Sequence, residues 1–382
     1  MRKIIIEIKK NFFSKNFLEK FFVFVLTFAL FFSKFLLWFS GYLALVFLIY
    51  KFFDNIHKER KLKISTYSIL NFLRLCLLSL SNLTHTGKHL KAFKVIFYQF
   101  GYITNPLLAK NFKIDIKQIL NIFEKFSILF GTINVTILFI NILFFNKTKT
   151  FHSSLFLISI SSVIATIFSL RKYEKTHLLK YLILSFILFL PALITFRRSC
   201  IISFLIFLFI LFLKRKKYLK YILFYVVEIA IFLAFSTFNL KNFNYIKRLY
   251  NKNNFNQLSS GRYKHFIYGV NKIKTESKKN ILTGYGYFNK EDEREYESII
   301  FLSLFLNGGI LNLFLFLFEY IFTIYLLYKS RKNYDLYFLT NLGLMGLNSL
   351  IFRTYKTPLL FFFLFILGYV EGKINRGAKL PP

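Results

Sequence analysis

The sequence is poor in cysteine and in acidic residues. It contains two cysteines and 17 aspartates and glutamates among 382 residues, against 53 lysines and arginines. Cys76 and Cys200 both lie within or beside apolar blocks, and the histidines show no metal-ligand spacing. We therefore expect no disulfide, no metal site and no cofactor.

The shortage of acids leaves a formal net charge of +36, which invites a nucleic-acid-binding function. The basic residues form no single soluble face, because most of them lie in short loops between apolar blocks. We therefore exclude a nucleic-acid partner. No small-residue cleavage site follows the basic start, so the first apolar segment is expected to act as its own signal.

Apolar residues make up 55% of the chain and come in blocks rather than in the short periods of a soluble domain. Blocks of about 20 residues fit helices that cross a hydrocarbon core about 30 Å thick. The pattern predicts an all-α, polytopic transmembrane helical bundle of about 12 spans. The predicted spans are 17–33, 35–51, 65–83, 93–109, 119–145, 153–169, 178–196, 199–213, 219–238, 298–328, 336–352 and 357–371.

Charge bias in the short loops sets the predicted orientation, because cytoplasmic loops carry an excess of Lys and Arg. The loops with that excess are 52–64, 110–118, 170–177, 214–218 and 329–335. Both ends of the chain are therefore predicted to face the cytoplasm. The predicted regions are spans one to nine in 1–238, one large extracytoplasmic loop at 239–297, spans ten to twelve in 298–371 and a cytoplasmic tail at 372–382.

Three arginines stand out against the apolar background. Arg197 and Arg198 interrupt one apolar stretch on the predicted outer side. They fit a tight turn whose guanidinium groups reach the lipid headgroups, and they also fit an anion site, since arginine binds phosphate oxygens bidentately. Arg74 lies near the middle of the third span, where a charge is expected to face a partner or a cavity. Glu228 is its predicted partner, and an ion pair and a substrate cavity both stay open.

The predicted outer loop carries two short motifs, Ser260-Gly261-Arg262 and Thr283-Gly284-Tyr285-Gly286. Each alone is typical of a turn, but long loops tend to be functional. The loop ends in an acidic run that closes at Glu297. Such a run fits an ordinary helix N-terminus, and Glu297 also fits a general base at the membrane surface.

Taken together, three stretches resemble the O-antigen ligase and O-antigen polymerase superfamily. Residues 193–199 are similar to the family's Leu-Thr-x-Ser-Arg-Gly, which aligns Arg198 with the family arginine. The two loop motifs are similar to its Ser-Gly-Arg followed by Gly-x-Gly. Residues 297–312 are similar to the start of its next helix, although Asn312 stands where a second glycine is usual.

This resemblance implies a membrane glycosyltransferase of the GT-C type that uses neither nucleotide nor metal. Such enzymes move a glycan from an undecaprenyl-diphosphate carrier to an acceptor sugar outside the cytoplasmic membrane. It implies catalytic roles for Arg198 and Arg262 at the diphosphate, and Glu297 is our expected base. The expected substrate-binding residues are Arg197, Ser260, Gly261 and Arg74.

The subtype is predicted from a difference between this sequence and the family pattern. Ligases of the family place a catalytic histidine in a His-Asn pair at the exit of the loop, and this sequence has none there. A polymerase-like enzyme is therefore favoured over a ligase that acts on a lipid A-core acceptor. A flippase or other transporter of the same lipid-linked glycan is the second alternative, although we find no internal repeat of the kind that transporters show. The expected partners are the lipid-linked oligosaccharide, the acceptor glycan, membrane lipid, and a chain-length regulator or flippase.

Overall fold

The computed structural model describes residues 16–32, 34–57, 62–86, 89–145, 155–195, 197–238, 300–350 and 359–376, together with seven isolated positions between 267 and 284. Within those eight ranges the chain forms twelve α-helices and no strand. The helices are α1 (Phe17–Phe32), α2 (Lys34–His57), α3 (Thr66–Thr86), α4 (His89–Lys110), α5 (Ile116–Phe145), α6 (Leu155–Thr176), α7 (Leu179–Ile194), α8 (Arg198–Lys214), α9 (Leu219–Phe238), α10 (Ile300–Ser330), α11 (Tyr334–Leu350) and α12 (Leu359–Ile374). A short 3-10 turn, Lys216–Tyr218, joins α8 to α9.

Each predicted apolar segment overlaps one of these helices, so the all-helical fold class is confirmed for the described residues. Three helical stretches are long and apolar enough to cross a membrane by themselves: Ile116–Phe144, Phe156–Thr176 and Leu304–Ser330. Apolar helices of this length indicate a helical membrane protein. A total of 12 spans and a GT-C arrangement stay predictions.

Helix α6 lies at the centre of one half of the bundle, in contact with α1, α5, α7 and α8. Its apolar face is buried, and its small polar side chains contact neighbouring helices. The Ser169 hydroxyl, for example, donates to the carbonyl oxygen of Tyr181 on α7 at 2.8 Å. Small residues let helix backbones approach closely where lipid offers no hydrophobic driving force.

A second close contact joins α4 to α12. A Cβ on Gly101 would lie 2.3 Å from the Phe361 ring, and a Cβ on Gly368 would lie 2.4 Å from the Pro106 carbonyl oxygen. Pro106 lies inside α4. The two glycines therefore let the backbone of one helix pack against the side chains and backbone of the other.

Buried acids tie together the first set of predicted cytoplasmic loops. Glu371 on α12 pairs with Lys110 at 2.8 Å. The same carboxylate accepts from the Ser65 hydroxyl at 2.7 Å and from the Thr66 backbone N–H at 3.0 Å, and thereby caps α3. Glu19 on α1 likewise pairs with Lys51 at 2.6 Å.

A second set of contacts joins the remaining basic loops at the same end. Arg171 at the end of α6 bonds Asp335 at the start of α11, and lies 3.4 Å from Glu124 on α5. Lys214 donates to the carbonyl oxygen of Arg331 at 2.5 Å. We call this the basic-loop end, and the opposite end, where α8 and α10 begin, the far end. That the basic-loop end faces the cytoplasm stays a prediction.

Candidate functional site

Helix α10 is broken near the far end by two adjacent glycines. Gly308 has φ −135° and ψ 16°, and Gly309 has φ 72° and ψ −173°. The second conformation is essentially restricted to glycine. Asn312 bridges the break, because its Nδ2 donates to the carbonyl oxygen of Leu304 at 2.8 Å. Asn312 thus satisfies a backbone carbonyl that the break sets free.

Gly284, from the predicted outer loop, packs directly on this break. Its φ is +72°, and a Cβ added to it would lie 2.5 to 2.6 Å from backbone atoms of Asn307, Gly308 and Gly309. Only a residue without a side chain fits such a contact between two backbones. Gly284 and the two glycines of α10, which lie 24 and 25 residues further along the sequence, therefore form one local structure.

A fully buried ion pair lies deeper between α3 and α10. Arg74 Nη2 is 3.1 Å from Glu319 Oε2, and both side chains have no exposed surface. Asn71 joins them, since its Oδ1 accepts from Arg74 at 2.8 Å and its Nδ2 donates to Glu319 at 3.2 Å. The predicted pairing of Arg74 with Glu228 is therefore wrong. The reason is packing: α3 packs against α10, whereas Glu228 lies on α9, which packs against α8.

Glu228 has a different environment from the one we predicted. It is partly buried, and neither of its carboxylate oxygens has a hydrogen-bond partner among the described residues. A carboxyl group in such a position on an apolar helix is costly to ionise.

The buried pair belongs to a longer polar contact between α3 and α10. Towards the basic-loop end, the Tyr67 hydroxyl lies 2.8 Å from the Thr323 hydroxyl. Towards the far end, the Ser81 hydroxyl donates to the carbonyl oxygen of Asn307 at 3.0 Å, next to the break. Hydrogen bonds across apolar helices fix their relative position. The two helices are thus held in register from the basic-loop end up to the broken glycines.

Arg197 and Arg198 lie at the start of α8, also at the far end. Arg197 is the half-buried N-cap residue, and its Nε has no hydrogen-bond partner among the described residues. Arg198 is exposed and is the first residue of the helix. A helix N-terminus attracts anions through its free N–H groups and its partial positive charge. Helix α7 ends at Ile194 and α8 begins at Arg198, so both arginines lie at the N-terminus of α8.

The structure does not bring all the predicted site residues together. Arg74 lies in the bundle interior on α3, whereas Arg197 and Arg198 lie at the N-terminus of α8. Helices α8 and α10 both pack against α11. The remaining predicted residues lie outside the described residues, and their roles stay predictions: Ser260, Gly261, Arg262 and Glu297. Among the residues that are described, no three His, Cys, Asp or Glu side chains are placed to hold a metal ion.

Sequence reasoning missed Glu319 and the break itself. Glu319 is the one acid in the 31-residue helix α10, which is a recognisable signal in an apolar segment. Two adjacent glycines inside that segment were a second signal. Comparison of the chain with protein-family models, with curated protein sequences and with solved structures gave no match.

Proposed function

We propose that this protein is a polymerase-like membrane glycosyltransferase. It joins glycan units from an undecaprenyl-diphosphate carrier to an acceptor sugar in the assembly of cell-surface polysaccharide, at the outer side of the bacterial cytoplasmic membrane. One observation carries the proposal: Gly284 packs on the break at Gly308 and Gly309. Two of the three stretches that resemble the O-antigen superfamily are thus in contact in space.

The third stretch supports the same proposal through its positive charge. Arg197 and Arg198 lie at the same end of the bundle as the break, beside the N-terminus of α8. A diphosphate at that surface would meet two guanidinium groups and the positive end of a helix. The carrier's lipid would lie along the apolar helices, which explains why the enzyme is embedded in the membrane.

The proposed reaction requires a base and an electrophile but no redox step. The oxygen of the acceptor hydroxyl attacks the anomeric carbon, and the bond from that carbon to the diphosphate oxygen breaks. The diphosphate leaves with the electron pair, and Arg198 and Arg262 stabilise its charge. Glu297 takes the proton of the hydroxyl.

The direct test uses purified protein in lipid with undecaprenyl-diphosphate-linked repeat units and no nucleotide sugar. We expect a ladder of polymer lengths from the wild type and none from Arg198→Gln. Lys180→Gln is the matched control, because Lys180 is also exposed but lies at the basic-loop end, at the start of α7. Ladders of equal length from all three proteins would contradict the role of Arg198.

A transporter is the second candidate, and the broken helix is the observation that favours it. Transporters place their substrate sites at interrupted helices near buried charges, and α10 combines a break with Glu319. The same reconstituted protein decides between the two. Transfer of intact lipid-linked units across the bilayer without a ladder would favour transport and would contradict glycan transfer.

A further inference from the structure

Two basic segments meet at the basic-loop end: residues 214–217, which begin with the last residue of α8, and residues 329–332, which begin in the last turn of α10. The contact is direct, because Lys214 Nζ donates to the carbonyl oxygen of Arg331. Arg215 and Arg331 each stack on a tyrosine that flanks the second segment in sequence. The guanidinium carbon of Arg215 lies 3.8 Å from the Tyr334 ring centroid, and that of Arg331 lies 4.3 Å from the Tyr328 ring centroid.

The acids nearby already have partners. Glu174 pairs with Lys217 at 3.1 Å and accepts from the Tyr218 hydroxyl at 2.6 Å. Asp335 bonds Arg171. Six basic side chains of the two segments have no acid within ion-pair distance among the described residues: Lys214, Arg215, Lys216, Lys329, Arg331 and Lys332.

The stacked arginines are held ready for an anion. Stacking fixes the plane of a guanidinium group and leaves its edge N–H groups available, and that edge matches two phosphate oxygens. Tyr334 does not cancel this charge. Tyr334 precedes the predicted span 336–352. Its burial, with a further contribution from the charge of Glu174, raises its pKa to about 12. Its ring therefore stays neutral near pH 7.

The surface beside these cations is apolar. Leu213, next to Lys214, is 67% exposed, and Tyr328, next to Lys329, is 57% exposed. Ile324 and Tyr325, one turn earlier on α10, are also exposed. A soluble polyanion would gain nothing from such a surface, whereas acyl chains would cover it.

We propose that the surface formed by residues 214–217 and residues 329–332 binds the phosphodiester headgroup of an anionic phospholipid. Arg215 and Arg331 would bind the phosphate from two sides, and the acyl chains would lie on the exposed faces of α8 and α10. The site is at the end of the bundle opposite to the break, so the proposal does not depend on glycan transfer.

The test titrates full-length protein in neutral detergent with fluorescently labelled phosphatidylglycerol, and in parallel with labelled phosphatidylcholine. Each basic residue near an anionic lipid contributes to binding, so we expect Arg215→Gln/Arg331→Gln to weaken phosphatidylglycerol binding by roughly tenfold or more. Phosphatidylcholine binding should change little. Added salt should weaken binding by the wild type.

The matched control is Lys117→Gln/Lys180→Gln, which removes the same charge from exposed positions of the same end. We expect it to retain phosphatidylglycerol binding within about twofold. Equal losses in the two double variants would overturn the proposal, since the effect would then be one of diffuse charge. Should Arg215→Gln/Arg331→Gln fail to fold, we would test Arg215→Lys/Arg331→Lys instead. This variant keeps the charge but lacks the guanidinium groups, so undiminished phosphatidylglycerol binding would overturn the proposed role of the two guanidinium groups.

Discussion

The two ends of the bundle are built differently. At the basic-loop end, buried acids such as Glu371 and Glu19 neutralise lysines and cap backbone N–H groups. At the far end, α10 is broken, Gly284 packs backbone to backbone, and Arg198 is exposed. Satisfied polar networks fix helix positions, whereas strained backbone persists only where the surroundings hold it. We infer that the contacts at the basic-loop end fix the arrangement of the helices, and that the proposed glycan-transfer site lies at the far end.

The ion pair of Arg74 and Glu319 lies between the two ends and should give the largest effect. Replacing one member of a buried pair leaves an uncompensated charge, which costs about 3–5 kcal/mol. We expect Arg74→Leu to lower the free energy of unfolding by that amount and to abolish polymer formation. Thermal unfolding in detergent, followed by circular dichroism, measures the first effect.

The double variant Arg74→Leu/Glu319→Leu is the control for that experiment. It removes both charges, so we expect it to recover most of the lost stability. If Arg74→Leu alone were as stable as the wild type, the buried pair would not connect α3 to α10 energetically. The ion pair would then not couple the basic-loop end to the far end.

Gly284→Ala should give the next largest effect, and it should be confined to the far end. The positive φ and the close backbone contact disfavour any Cβ, and such strain costs roughly 1–3 kcal/mol. We expect faster protease cleavage within residues 239–299 and a shortened or absent ladder, with thermal unfolding of the bundle nearly unchanged.

Leu282→Ala provides the control for Gly284→Ala, because Leu282 is two positions away and 53% exposed. It should behave like the wild type in both assays. A Gly284→Ala protein with wild-type cleavage and a wild-type ladder would show that the contact with the break does not hold the loop.

The same contrast explains what could be predicted from the sequence. The helices follow from apolar blocks whose length matches a bilayer, and their shared basic end follows from the distribution of Lys and Arg in the loops. Both are properties of single segments. The Gly-x-Gly loop and the glycines of α10 were recognised only as motifs, and their contact needed the structure.

Pairing between distant helices could not be predicted. Arg74 and Glu319 are 245 residues apart, and which acid meets the arginine depends on which helices are neighbours. Glu228 was a reasonable choice from hydropathy alone, but α9 packs elsewhere. The left-handed conformation of Gly284 likewise accompanies a contact with the backbone of α10, which lies 23 or more residues further along the sequence.

Glu371→Gln should give a smaller effect at the basic-loop end. The amide oxygen can accept from the Ser65 hydroxyl and the Thr66 backbone N–H only at the position of Oε2, so its NH2 group then faces Lys110, and the charge that compensates Lys110 is lost. Lys110 keeps the carbonyl oxygen of Ile64 as a partner, so we expect the free energy of unfolding to fall by about 1–3 kcal/mol, the cost of leaving a buried polar group without one of its partners. Polymer formation per folded molecule should be unchanged. A shortened ladder at normal protein levels would contradict the division between the two ends.

Lys175→Gln should give the smallest effect, because Lys175 is 40% exposed although it lies 2.8 Å from Glu124. Solvent-exposed ion pairs contribute about 0.2–1 kcal/mol, and Glu124 retains Arg171 as a partner. We expect a loss in the free energy of unfolding below about 1 kcal/mol that disappears at high salt. Chemical denaturation of the two proteins in parallel would measure it. A larger, salt-resistant loss would mean that Lys175 is shielded from solvent, and that the buried network of the basic-loop end extends to its surface.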